Sequence, residues 1–236
     1  MLSSDLREQE KRAAAERGVA FIESGMAIGL GSGSTSAYAI AFLGERVRAG
    51  LNLRAVPTSS RTERLAIREG IPLIDLAQAP ELDLTIDGAD EIDPNLQLIK
   101  GGGGALLREK VVASASRRLI IIADSTKRVP VLGAYPLPLV VTPFAAPLVA
   151  RRIAQLGAAT AEFRLDDHRE PFITDDGGYI LDCRFDQIPD PAALTRELEK
   201  MPGVVAHGLF VDMADVVLVA TRDSVTEYRR GGTVYW

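Results

Sequence analysis

The chain has 236 residues, 47% of them apolar and 25% charged, with a formal net charge of −5, which is enough material for one large core or for a large and a small one. The acidic balance and the lack of any Lys/Arg-rich tract argue against a nucleic-acid partner, and no apolar run reaches the ~18 residues of a membrane span. A single cysteine, Cys183, rules out an internal disulfide, and the charged, helix-like N-terminus is unlike a secretory signal, so a cytoplasmic protein is expected.

In chain order, the first two-thirds alternate helix and strand. Residues 6–24 read as helix and 26–30 as a short apolar strand. GLGSGST (29–35) then leads into a helix over 36–48. A strand at 53–56 precedes PTSSRTERLAIREG, where Ser59 or Ser60 caps a helix that ends at Gly70. Strands are expected at 73–76 and 82–86, a helix after the glycine run at 101–104, and a buried parallel strand at 119–123 (LIIIA). Strands alternating with helices predict an α/β fold: a doubly wound, mostly parallel, Rossmann-like sheet covered on both faces.

The pattern changes after Val129, where five prolines fall between 130 and 147. Beyond them the order reads strand (137–142), helix (146–156), strand (160–164), a hairpin across 175–178, strand (179–185), helix (191–200) and strand (204–209). This β-α-β-β-α-β order predicts a smaller, ferredoxin-like α+β domain over 130–209. Residues 1–129 together with 210–236 form the large α/β domain, to which VVLVA (216–220) returns as a strand. The tail from Arg229 to Trp236 is expected to fray.

The segment DGADEIDPNLQLIKGGGGALLREK (87–110) stands out, because four glycines in a row cost conformational entropy that packing alone does not require. Asp87, Asp90, Glu91 and Asp93 follow a predicted strand, and three readings fit them: a solvated turn, a divalent-metal site, or acid/base chemistry on hydroxyls. Lys100, directly before Gly101, can serve as a point charge for a phosphate or an oxyanion, or be an ordinary surface lysine. Glu109 lies between Arg108 and Lys110 near a helix start, where neighbouring cations and the helix dipole favour the ionised form a base requires. An Arg-Glu-Lys run is also the usual look of a solvated helix face. The glycines of GLGSGST, with Ser32, Ser34 and Thr35, make a phosphate cradle at a helix N-terminus, or simply a tight capped turn. The loop is neither a dinucleotide fingerprint nor a Walker loop. ADSTK, ending at Lys127, follows another strand. In a parallel sheet these strand ends meet on one edge.

Taken together, GLGSGST, PTSSRTERLA, DGADEID, IKGGGGALLREK, ADSTK and MPGVVAHGLF, in this order and spacing, resemble the ribose-5-phosphate isomerase A family over nearly the whole chain. The resemblance implies interconversion of D-ribose 5-phosphate and D-ribulose 5-phosphate through an enediolate, in the pentose phosphate pathway, with no metal and no organic cofactor, by a homodimer or homotetramer. It implies Glu109 as the base, with Asp87, Asp90 and Lys100 as further catalytic groups. Substrate contacts would come from Ser32, Gly33, Ser34 and Thr35, from Asp87, Gly88, Ala89 and Asp90, from Lys100, Gly101, Gly102 and Gly103, and from Lys127 and Lys11. The chain departs from the family pattern twice: Ser32 replaces a common threonine, keeping the hydroxyl, and Leu107 replaces a threonine before the Arg-Glu-Lys run. Three rivals remain: a non-catalytic sugar-phosphate sensor module, a metal-dependent isomerase working by hydride shift at the acidic cluster, and a CoA-transferase with a covalent glutamate. The sensor reading is weakened because only one helix precedes the loop at 29.

Overall fold

A computed structural model describes residues 4–230 and 232–235. It divides into two compact units, one running up to Ala89, over Arg108–Lys127 and from Met213 onward, the other over Asp90–Leu107 and Arg128–Asp212.

In the first unit the chain runs α1 (Ser4–Val19), β1 (Ala27–Leu30), α2 (Ser34–Arg48), β2 (Arg54–Pro57), α3 (Ser60–Arg68) and β3 (Leu84–Asp87). After an excursion through β4 (Glu91–Ile92) and β5 (Leu98–Ile99) of the second unit come α4 (Leu106–Ser114) and β6 (Leu119–Asp124). The second unit then adds β7 (Leu137–Val141), α5 (Ala146–Gln155), β8 (Thr160–Phe163), β9 (Tyr179–Arg184), α6 (Pro191–Glu199), β10 (Val204–His207) and β11 (Leu209–Phe210). The first unit closes with β12 (Val216–Ala220), β13 (Val225–Arg229) and β14 (Gly232–Tyr235).

The central sheet has the order β14-β13-β12-β6-β3-β1-β2. From β12 to β2 the strands are parallel, and β13 and β14 extend it antiparallel. Its interior strands are buried along their whole length, which explains why they read as continuous apolar runs rather than alternations. Residues pointing to one face (Ile28, Leu30, Ile86, Ile120, Ile122, Leu218) pack with Ala14, Ala15 and Val19 of α1, Ala39, Ile40 and Leu43 of α2 and Ala66 of α3. On the opposite face Ala27, Val56 and Leu82 pack with Val112 of α4. The sheet is therefore covered on both sides, as the βα alternation predicts.

The second unit holds a four-stranded antiparallel sheet, β10-β7-β9-β8, whose strand order with α5 and α6 is that of a ferredoxin-like fold. Leu137, Leu139, Val141, Leu181 and Cys183 pack there against Val149 and Ile153 of α5 and Leu198 of α6. A three-stranded sheet, β11-β5-β4, completes the unit.

Four expectations need correction. The strand at 73–76 is reduced to one bridge between Leu73 and Ala55, because Asp75 and Gln78 form a capping box that closes a 3₁₀ turn over Leu76–Gln78. The first helix stops at Val19, where the N–H groups of Phe21 and Ile22 turn back to the carbonyls of Gly18 and Val19. The strand at 204–209 breaks at Gly208, so that β10 pairs with β7 and β11 with β5. The tail does not simply fray: β13 and β14 pair in register up to Tyr235, while Trp236 lies outside the described residues. Among the described residues no helix is long and apolar enough to cross a membrane.

Candidate active site

In the first unit, the carboxyl ends of β1, β3 and β6 lie side by side. They bring the loop of Ser32, Gly33, Ser34 and Thr35, the Asp87–Gly88–Ala89 turn and the segment ending at Lys127 to one edge of the sheet. Asp87, the last residue of β3, is buried, and its Oδ1 accepts the N–H of Ser32 at 3.0 Å, the N–H of Gly88 at 2.7 Å and the Ser36 hydroxyl at 3.4 Å. This close approach requires glycine at 31, since a side-chain carbon there would collide with the Asp87 carboxylate.

The Ser32 hydroxyl lies within hydrogen-bonding distance of Thr58 Oγ1 (2.9 Å), Ser59 Oγ (2.7 Å) and Thr62 Oγ1 (3.0 Å). Both of its donors are thus engaged inside the unit, one fixing Asp87 and the other tying the loop to α3. The helix that follows starts at Gly33, which has no capping side chain, and Ser34 is exposed. First-turn N–H groups at such an end suit an anion.

Lys127 ends a single 3₁₀ turn over Ser125–Lys127 and is half-buried. That turn is held from α1, where the buried carboxylate of Glu10 accepts the Ser125 N–H at 3.0 Å and its hydroxyl at 2.8 Å. Lys11, the next residue, pairs with Glu8 at 2.7 Å. Glu109 sits in the first turn of α4 with 3% of its surface exposed, which is not the solvated helix face that the Arg-Glu-Lys run usually signals.

Asp90, Lys100 and the glycines belong to the second unit. Lys100 is 2% exposed, its N–H donates to the Gly208 carbonyl at 2.9 Å, and its ammonium stands 5.3 Å from the centre of the Phe210 ring. A lysine this buried needs charge compensation or a ligand, so it is no ordinary surface residue. Asp90 Oδ2 accepts the Gly102 N–H at 2.7 Å. A side-chain carbon at Gly102 would lie 2.5 Å from the Tyr135 hydroxyl and 2.7 Å from Asp90 Oδ1, so that glycine also is there for room. Burial, reinforced by the Asp90 charge, pushes the Tyr135 phenol above its ordinary range and keeps it a hydrogen-bond donor.

The other two acids of the cluster are engaged by backbone N–H groups of the same unit. Glu91 accepts the N–H groups of Gly133 and Tyr135, and Asp93 accepts those of Asn95 and Gln97. Among the described residues no three His, Cys, Asp or Glu side chains gather as a ligand set for a metal ion.

Sequence reasoning missed Glu10, Tyr135 and Arg164, whose guanidinium donates to the carbonyls of Gly101 and Gly102. None of the three has a local signature: Arg164 lies more than sixty positions from the loop it holds. In PTSSRTERLA the sequence marks Ser59 or Ser60 as a helix cap, but nothing local marks the hydroxyls of Thr58 and Thr62 as partners of Ser32.

The family model of ribose 5-phosphate isomerase A (phosphoriboisomerase A) matches residues 54–224. A ribose-5-phosphate isomerase A of Methylorubrum populi is 54% identical over 218 residues, covering 90% of this chain and 92% of that protein. A solved D-ribose-5-phosphate isomerase in complex with phospho-erythronic acid superposes with a TM-score of 0.92 at 41% identity, covering 94% of this chain and 99% of the other. The ribose 5-phosphate isomerase A of Methanocaldococcus jannaschii gives 0.90 at 39% identity, covering 94% of this chain and 99% of that one. With the motifs, the fold and these matches agreeing, the chain belongs to the ribose 5-phosphate isomerase A family.

Proposed function

We propose that Glu109 is the base through which this isomerase interconverts D-ribose 5-phosphate and D-ribulose 5-phosphate. The carbon-bound proton at C2 of the open-chain aldose passes to the Glu109 carboxylate. The electron pair it leaves forms the C1–C2 double bond, and charge collects on O1 of the resulting enediolate. Return of the proton to C1, with passage of the O2 proton to O1, gives the ketose. The observation that carries this reading is the burial of Glu109 on the first turn of a helix that follows the glycine run.

Lys100 stabilises the enediolate charge, a role suited to an ammonium held away from water. Asp87 and Asp90 serve the oxygen protons and ring opening. The phosphate is bound by the start of α2 (Gly33, Ser34 and Thr35), with Lys127 and Lys11. Ser32 acts through Asp87, and Gly88, Ala89 and Gly101 to Gly103 line the sugar. Phospho-erythronic acid, the ligand of the solved relative, is a suitable inhibitor to try, since its carboxylate puts a planar carbon with a negatively charged oxygen where C1 and O1 of the enediolate would lie.

The resemblance further supports a cytoplasmic homodimer or homotetramer without metal, which sedimentation of the purified chain would read as two or four copies.

The test is ribulose 5-phosphate formation in excess EDTA, comparing the native chain with Glu109→Gln after both are shown to be folded. Activity that survives EDTA and falls at least ~10²-fold in the variant supports the base. Loss of native activity in EDTA would move the chemistry to a metal, and an inactive native chain that still binds pentose phosphates would make it a sensor.

A further inference from the structure

Arg164 follows β8, and its guanidinium is divided between two tasks. Nε and Nη2 donate to both carboxylate oxygens of Asp182 on the neighbouring strand β9, at 2.9 and 2.5 Å. Nη1 donates to the carbonyls of Gly101 and Gly102, at 2.9 and 3.0 Å. Asp182 thus sets the plane of the guanidinium by a bidentate pair, and the remaining donor edge is aimed at the glycine run. The side chain is only 16% exposed, so little water competes for these bonds.

The consequence for the loop follows from peptide geometry. In a trans peptide the C=O and N–H point in opposite directions. The peptide joining Gly101 to Gly102 is held at both ends, its carbonyl by Arg164 and its N–H by Asp90. In the next peptide only the carbonyl is held, by Arg164, which turns the N–H of Gly103 away from the guanidinium. Gly103 is exposed, its N–H has no acceptor among the described residues, and a side-chain carbon there would meet nothing within 4 Å. Four consecutive glycines would otherwise leave this amide free to swing.

We propose that Arg164 is a positioning residue of the isomerase, fixing the glycine run so that the Gly103 N–H is a preorganised donor to the oxygen that gains charge in the enediolate. This rests on the reading that the Lys100–Gly103 segment contacts substrate. A fixed donor matters most where charge develops, so its loss lowers kcat rather than substrate binding.

The experiment measures kcat, KM and melting temperature for the native chain, Arg164→Lys and Arg164→Met. Lysine keeps the charge but has no planar fork to serve two carbonyls and a carboxylate together. The expected result is a kcat lower by at least ~10-fold with KM within about threefold of native, and a larger kcat loss in the methionine variant. Native kcat in the folded variants, whether or not the melting temperature drops, overturns the proposal, as does a change confined to KM. If Arg164→Met does not fold, the kcat of Arg164→Lys decides alone. An inactive native chain would sink the isomerase reading itself, whereas an active native chain with unaffected variants sinks only the role of Arg164.

Discussion

The carboxylate of Glu91 is 4% exposed and accepts two backbone N–H groups, from Gly133 at 2.7 Å and Tyr135 at 2.6 Å. Charge-assisted bonds to a buried carboxylate are among the stronger ones in a protein. In Glu91→Gln one oxygen becomes an NH₂ group facing an N–H, so one bond is replaced by a clash of donors. We expect the variant to lose about 1–3 kcal/mol of stability in urea unfolding. Activity should fall as well, because Tyr135 is carried by the same backbone and stands beside Gly102 and Asp90. An unchanged urea midpoint would show that these bonds contribute little. Asp87, Asp90, Glu91 and Asp93 are indistinguishable by residue type and spacing. What separates them is which N–H each accepts, and those donors lie up to 55 positions away in the chain. The sequence therefore reveals an acidic cluster at a strand end but not its division of labour. Lys100 was ambiguous for a related reason, since burial by Phe210 and Gly208 comes from β11 and its approach, far along the chain.

At the scale of elements, local chemistry is legible where it is strong. The run Ser59-Ser60 offered two caps for α3, and Ser59 takes the position with extended backbone, accepting the Thr62 N–H at 3.0 Å. Replacing Ser59 by alanine removes that cap and costs about 0.5–2 kcal/mol. It also removes the bond from the Ser32 hydroxyl, which ties the helix to the loop that holds Asp87. Ser59→Ala should therefore lower the melting temperature and reduce kcat together, whereas a cap acting only on the helix would lower the melting temperature alone. The long apolar strands β6 and β12 were readable because burial on both faces leaves no polar position to confuse their period. The two-residue strands β4, β5 and β11 were not, since two residues carry no period at all. Residues 73–76 failed the other way: an apolar stretch of strand length was diverted by the capping box of Asp75 and Gln78.

At the scale of the whole molecule, the βα alternation and the proline-rich stretch after Val129 announce two kinds of architecture. The excursion of Asp90–Leu107 into the second unit has no such mark, because β5 is held by β11, over a hundred residues later. The single cysteine reports on this second unit. Cys183 lies on β9 inside its core, and burial, with the neighbouring Asp182 charge, pushes its thiol from 9.0 up to about 12. The folded state then keeps its proton between those values while the unfolded chain gives it up, so the unfolded state binds fewer protons and stability falls as pH rises. Below about pH 9 the contribution is intact, and it is lost progressively as pH climbs toward 12. Between pH 8 and pH 10 this one group should cost about 1.4 kcal/mol, the value of one pKa unit. Tyrosines and lysines titrate in the same range, so the quantity to measure is a difference. Urea unfolding at pH 8 and pH 10 should show the native chain losing about 1.4 kcal/mol more than Cys183→Ala. The alanine variant has a lower starting stability from the space it leaves in the core, but that offset does not vary with pH. Equal losses in the two chains would mean that the thiol is not shielded from water, and that the core around β9 opens more readily than its packing implies.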